Sequence, residues 1–130
     1  MHSVDRLGVA RRLSEQRPYY APPLNLCLQV ALVPEPGKGG VEPAKLHELA
    51  AGTAELPRVR LRGLMCVPPP QTDVSAQRAV FSRLRILLEG LNANDFGLDT
   101  LSMGMSGDFE AAIAEGATQV RIGTAIFGDR

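Results

Sequence analysis

Two stretches near the C-terminus combine the residue types that bind anions: Ser102-Met103-Gly104-Met105-Ser106-Gly107-Asp108 and Arg121-Ile122-Gly123-Thr124-Ala125-Ile126-Phe127-Gly128. Glycines let backbone N–H groups approach a ligand closely, a helix N-terminus adds unsatisfied donors and a positive dipole end, and hydroxyls complete the shell. Ser106 precedes a short helical pattern and Thr124 follows a short β-rich run, so both hydroxyls could converge on one phosphate. Arg121 would point into the same site if the alternation of its strand turns it inward. The same letters also have a plain structural use. Ser106 and Asp108 could cap a helix, and Gly123-Thr124 could form a tight turn; spacing alone leaves both uses open.

Other chemistries fit poorly. Gly104-Met105-Ser106-Gly107-Asp108 lacks the second glycine of a nucleophile elbow, and neither histidine, His2 nor His47, offers a convincing partner for a nucleophilic serine. No catalytic residue is assigned. His47 stands mid-helix beside Glu48 with no second ligand close in sequence, so no metal site is expected. Cys27 and Cys66 each sit inside an apolar run, where a thiol behaves as a small buried hydrophobe. The 14 basic and 14 acidic side chains cancel, which gives no field to draw nucleic acid or an anionic membrane. No apolar run approaches the length of about 20 residues that spans a bilayer, and the start has no basic region followed by an apolar segment. A cytoplasmic location is expected.

The elements that must position the two stretches alternate. With 45% hydrophobic residues in 130, the chain is large enough for one domain with its own core. Short β-rich runs at 2–4, 24–33, 59–67, 98–103 and 119–122 are separated by helical patterns, with Asp5 as a candidate cap for the first. Pro43 opens the second helix, Asp73 or Ser75 caps the third and longest, and Gly116 closes the fourth, over 109–115. Strict alternation predicts parallel βα units, in either an open doubly wound sheet or part of a (β/α)8 barrel. An open sheet would advertise a glycine-rich turn after its first strand; here that turn is Val4-Asp5-Arg6, and the glycines follow the last two strands, where barrels hold phosphate.

His2-Ser3-Val4-Asp5-Arg6-Leu7, Arg60-Leu61-Arg62-Gly63-Leu64-Met65 and the two C-terminal stretches together resemble the pyridoxal phosphate homeostasis protein family, similar in fold to the N-terminal barrel domain of alanine racemase. The resemblance extends over residues 1–130 as a single unit and is to the C-terminal portion of the family only. It implies a partial (β/α)8 TIM-type barrel of about five parallel βα units corresponding to strands 4–8. It also implies a pyridoxal-phosphate-binding, non-catalytic protein of vitamin B6 and amino-acid homeostasis.

Carried over by the resemblance, Ser106 with the backbone of Gly123 and Thr124 holds the cofactor phosphate, and Arg121 faces the pyridine nitrogen. A guanidinium there stays protonated and leaves the ring nitrogen without a proton, which weakens the electron sink. The family's Schiff-base lysine lies on the first strand and has no counterpart here. Lys38 and Lys45 are the only lysines; Lys38 matches a lysine of a family loop, and Lys45 opens a helix. Ala31 replaces the family's usual asparagine. The cofactor is therefore expected to bind non-covalently at best. The alternatives are a vestigial fragment with no ligand and a racemase-type enzyme, which would need a lysine and a second acid–base group. An unclosed sheet would leave edges near His2 and Gln119, inviting self-association or a companion chain.

Overall fold

The computed structural model describes residues 2–32, 39–67, 73–105 and 108–121. Five strands and four helices alternate: β1 (His2–Val4), α1 (Leu7–Gln16), β2 (Leu24–Gln29), α2 (Pro43–Ala54), β3 (Val59–Met65), α3 (Val74–Asn92), β4 (Thr100–Met105), α4 (Phe109–Ala114) and β5 (Gln119–Arg121). Every neighbouring strand pair is parallel, and the order in the single sheet is β1-β2-β3-β4-β5.

Local signals account for the helix boundaries. Pro43 sits in the first turn of α2, where its missing N–H costs nothing. Asp73 accepts from the Ser75 N–H at 3.2 Å and starts α3. Gly116, at φ 97°, ends α4 in the left-handed region.

Each helix connects two adjacent parallel strands, and the fixed hand of such crossovers places all four on one face of the sheet. Leu26, Leu28, Leu64, Leu101 and Met103 from that face share one core with Ala10, Leu46, Ala50, Phe81, Leu84 and Ala112 of the helices. Full burial of side chains such as Phe81, Leu26 and Leu28 contributes about 1.5–3 kcal/mol each before entropy is counted. The intervening strand residues form the opposite face, where Cys27, Gly63 and Thr100 stand in one row and Met65 and Ser102 in the next. Cys27 and Cys66 are both buried, as their apolar surroundings predict.

The expected partial (β/α)8 barrel is corrected. Among the described residues the fold is an open α/β sheet: β1 and β5 are its two edges and do not pair, and only β2, β3 and β4 are longer than three residues. Alternation of strand and helix fixes parallel pairing but carries no information on closure, which depends on the two edges meeting.

Candidate functional site

Because all strands are parallel, their C-terminal ends lie along one edge of the sheet. Met105 pairs with Arg121, so β4 and β5 end side by side. The two glycine-containing stretches continue directly from these neighbouring ends. Just before that point β4 carries a register shift between Ser102 and Met105, and Gly104 lies within it at φ 100°. A bulge at a strand end re-aims the chain that follows, and here the left-handed φ suits glycine.

Of the four residues assigned to the cofactor, Arg121 closes β5 and its backbone is placed at the edge. Ser106, Gly123 and Thr124 lie outside the described residues. Asp108 stands at the N-cap position of α4 and makes no capping hydrogen bond with its side chain. Lys45 lies exposed in the first turn of α2, and Lys38 falls outside the described residues.

A second feature of the same edge was not foreseen from sequence. Asp5 does not cap α1; Arg6 occupies the N-cap position without a side-chain cap, and the Asp5 carboxylate instead accepts from the Gly40 N–H at 3.0 Å. Gln29 Nε2 donates to the Gly39 carbonyl at 3.2 Å. Val41 N–H donates to the Gln29 carbonyl at 2.8 Å and the Ala31 N–H to the Val41 carbonyl at 2.9 Å, closing the connection after β2 upon itself. A Cβ on Gly39 would stand 2.8 Å from Asp5 Oδ2. The only sequence signal was the Gly39-Gly40 pair, which marks a loop but not its partner.

The strongly perturbed carboxyls lie elsewhere. A hydrogen bond from Arg62 holds Asp99 at about 2, with the Thr100 hydroxyl assisting. Asp99 immediately precedes β4, at the opposite edge. Glu115 is lowered first by its hydrogen bond from Arg78, with burial opposing and Arg85 assisting; it ties α3 to α4. Both are ion pairs with arginine remote from the strand C-termini, an arrangement that holds structure together rather than moving protons. Among the described residues no group of three or more His, Cys, Asp or Glu side chains could hold a metal ion, and no helix is long and apolar enough to cross a membrane.

A single parallel sheet with its helices on one face defines an α/β domain. More narrowly, the chain belongs to the alanine racemase N-terminal domain family, whose model matches residues 1–130. The expectation that it represents only a C-terminal portion is corrected by that match, which runs along the whole chain and is to an N-terminal domain.

The chain is 60% identical over 130 residues to the pyridoxal phosphate homeostasis protein of Pseudomonas aeruginosa and 51% identical over 129 residues to that of Escherichia coli K12. These matches cover 100% and 99% of this chain and 55% of each relative, so the chain spans about half the length of those proteins. The Synechococcus elongatus protein PipY has been solved without and with pyridoxal phosphate. Its two structures match this fold with TM-scores of 0.86 and 0.85 at 40% and 38% identity, over 98% of this chain and 60% and 59% of PipY.

Proposed function

We propose that this chain is a non-catalytic pyridoxal-phosphate-binding unit of vitamin B6 and amino-acid homeostasis, acting in the cytoplasm. Residues 1–130 form one binding unit in which Ser106 and the backbone of Gly123 and Thr124 hold the phosphate and Arg121 faces the pyridine nitrogen. The observation that carries this reading is the pairing of Met105 with Arg121, which starts the two phosphate-type segments from adjacent strand ends. The pyridoxal-phosphate-bound structure of PipY supports the choice of ligand.

The donor set suits a phosphate: the Ser106 hydroxyl and the backbone N–H groups of Gly123 and Thr124. When bound, the cofactor would supply an electron-accepting ring. Arg121 keeps its own proton and so withholds one from the ring nitrogen, which argues against racemase-type turnover. Lys45 is on α2, and Lys38 lies outside the described residues. Binding without a covalent link then rests on the phosphate contacts and Arg121, which must offset the entropy of ordering the ligand. β1 and β5 offer outer edges for self-association or a companion chain.

The test is a titration of the purified chain with pyridoxal phosphate, followed by calorimetry and by visible absorbance. Saturable binding without the absorbance of a covalent lysine adduct, lost in the Ser106→Ala/Thr124→Ala double variant, is the expected result. No saturable binding at millimolar ligand would favour the alternative, a chain with no ligand of its own.

A further inference from the structure

We infer that the exposed face of α1 and the tyrosine turn that follows it form a docking surface for a carboxylate-rich segment of a partner protein. This surface is separate from the proposed cofactor site. The turn leads into Leu24, the first residue of β2, and so lies at the sheet edge opposite the strand C-termini.

α1 divides into two faces. Leu7, Val9, Ala10 and Leu13 belong to the core or pack against it, while Gly8, Arg11, Arg12, Glu15 and Gln16 recur at helical spacing on the outside. Arg6, Arg11, Arg12 and Arg17 are balanced along this stretch only by Asp5 and Glu15, in a chain whose charges cancel overall. The Asp5 carboxylate is itself engaged by the Gly40 N–H. Among the described residues neither the Arg11 nor the Arg12 guanidinium has a partner. Each presents a planar fork of N–H donors that a carboxylate matches with two bonds.

The turn adds contact area that is already ordered. The Ala21 N–H donates to the Pro18 carbonyl at 3.1 Å, and Arg17 Nε donates to the Pro22 carbonyl at 2.9 Å, bracing the turn against the end of α1. Tyr19 and Tyr20 meet edge to face with ring centroids 5.8 Å apart, yet they are 88% and 81% exposed. Tyrosine and arginine are enriched where proteins bind one another, and rings fixed beforehand lose little entropy on contact. The chemistry of the occupant follows from both parts. α1 turns its apolar residues inward and has no apolar face to bury in a lipid surface. Two unpaired arginines match a few carboxylates rather than the continuous charge of a nucleic-acid strand.

Tyr19 and Tyr20 are the only tyrosines and the chain has no tryptophan, so intrinsic fluorescence reports on this surface alone. The experiment titrates the wild-type chain with a synthetic peptide of alternating glutamate and proline. The same peptide with glutamine for glutamate, a thymidine oligonucleotide and phosphatidylserine vesicles are titrated beside it. The expected result is a saturable change in tyrosine emission with the glutamate peptide, weakening as salt is added. By calorimetry, affinity should fall at least about tenfold in Arg11→Gln/Arg12→Gln and at least about threefold in Tyr19→Ala/Tyr20→Ala, with unfolding midpoints near wild type. Lys45→Gln removes an exposed cation from α2 and should leave affinity unchanged. Absence of binding at millimolar glutamate peptide, equal binding of the glutamine peptide, or tighter binding of the oligonucleotide or the vesicles would overturn the inference. So would unchanged affinity in Arg11→Gln/Arg12→Gln, or a loss in Lys45→Gln as large as in that variant.

Discussion

Gly63 of β3 approaches Thr100 of β4 so closely that a Cβ on Gly63 would stand 1.8 Å from the Thr100 carbonyl oxygen. The two are paired in register, and the β2–β3 ladder shifts by one residue beside them, from Leu26↔Leu61 to Cys27↔Gly63. The absence of a side chain at this position lets three strands meet at the bulge.

Gly63→Ala should therefore be among the most damaging single changes in the sheet. The obstacle is backbone, which cannot swing aside like a flexible side chain, so β3 and β4 must separate. We expect a loss of about 3 kcal/mol or more, read from the urea midpoint at unchanged slope. A midpoint within error of wild type would mean that the strands part without cost.

The Asp99 carboxyl, lowered from 3.8 to about 2 chiefly by its hydrogen bond from Arg62, makes stability depend on acid. A group whose folded value lies below its unfolded value contributes stability that is fully present above pH of about 4 and lost as pH falls through about 2. Glu115 works in the same direction through Arg78. The unfolding temperature should fall between pH 4 and pH 2. Asp99→Asn should begin lower at neutral pH and fall less steeply, by a modest amount because the pair is exposed. Identical acid slopes in the two proteins would show that Asp99 is not the group responsible.

What the sequence revealed was mostly periodicity and punctuation. Pro43, Asp73 and Gly116 mark helix ends because their backbone chemistry acts locally. The run at 24–33 promised a longer strand than Leu24–Gln29, since apolar letters report burial and not pairing; Val30 leaves the ladder to bridge Val41. Leu98 looked like the start of β4, yet the Asn92 side chain binds both its N–H, at 2.6 Å, and its carbonyl, at 2.9 Å, so the strand begins at Thr100. Asp5 carried the right letter for a cap and serves a contact 35 residues away, which no local rule contains. At the candidate site, the sequence located β4 and β5, and the segments that follow them lie largely outside the described residues; the bulge at Gly104 and the close approach of Gly39 to Asp5 depend on register and tertiary approach.

Thr53 of α2 is fully buried, and its hydroxyl has no hydrogen-bond partner among the described residues. A buried unpaired hydroxyl costs free energy that an apolar group of the same shape does not. Thr53→Val keeps the branched outline and should raise stability by about 1 kcal/mol in urea unfolding. A loss of stability would show that the hydroxyl is satisfied in solution.

Ser14 locks the last turn of α1 to the connection between α2 and β3. Its side chain is buried, its hydroxyl donates to the Pro57 carbonyl, and its own carbonyl accepts from Arg58 Nε at 2.8 Å. That carbonyl is one of the four at a helix C-terminus with no intrahelical partner, so the guanidinium satisfies a group that burial would otherwise strand. Arg58 adopts φ 63°, a conformation costing a non-glycine residue on the order of 1 kcal/mol, and its bond to Ser14 offsets that cost. Ser14→Ala should destabilise by about 1–2 kcal/mol through the Pro57 carbonyl left unpaired. Arg58→Gly should be close to neutral, the relief of strain balancing the lost bond. A neutral Ser14→Ala together with a strongly destabilising Arg58→Gly would place the lock in the arginine alone.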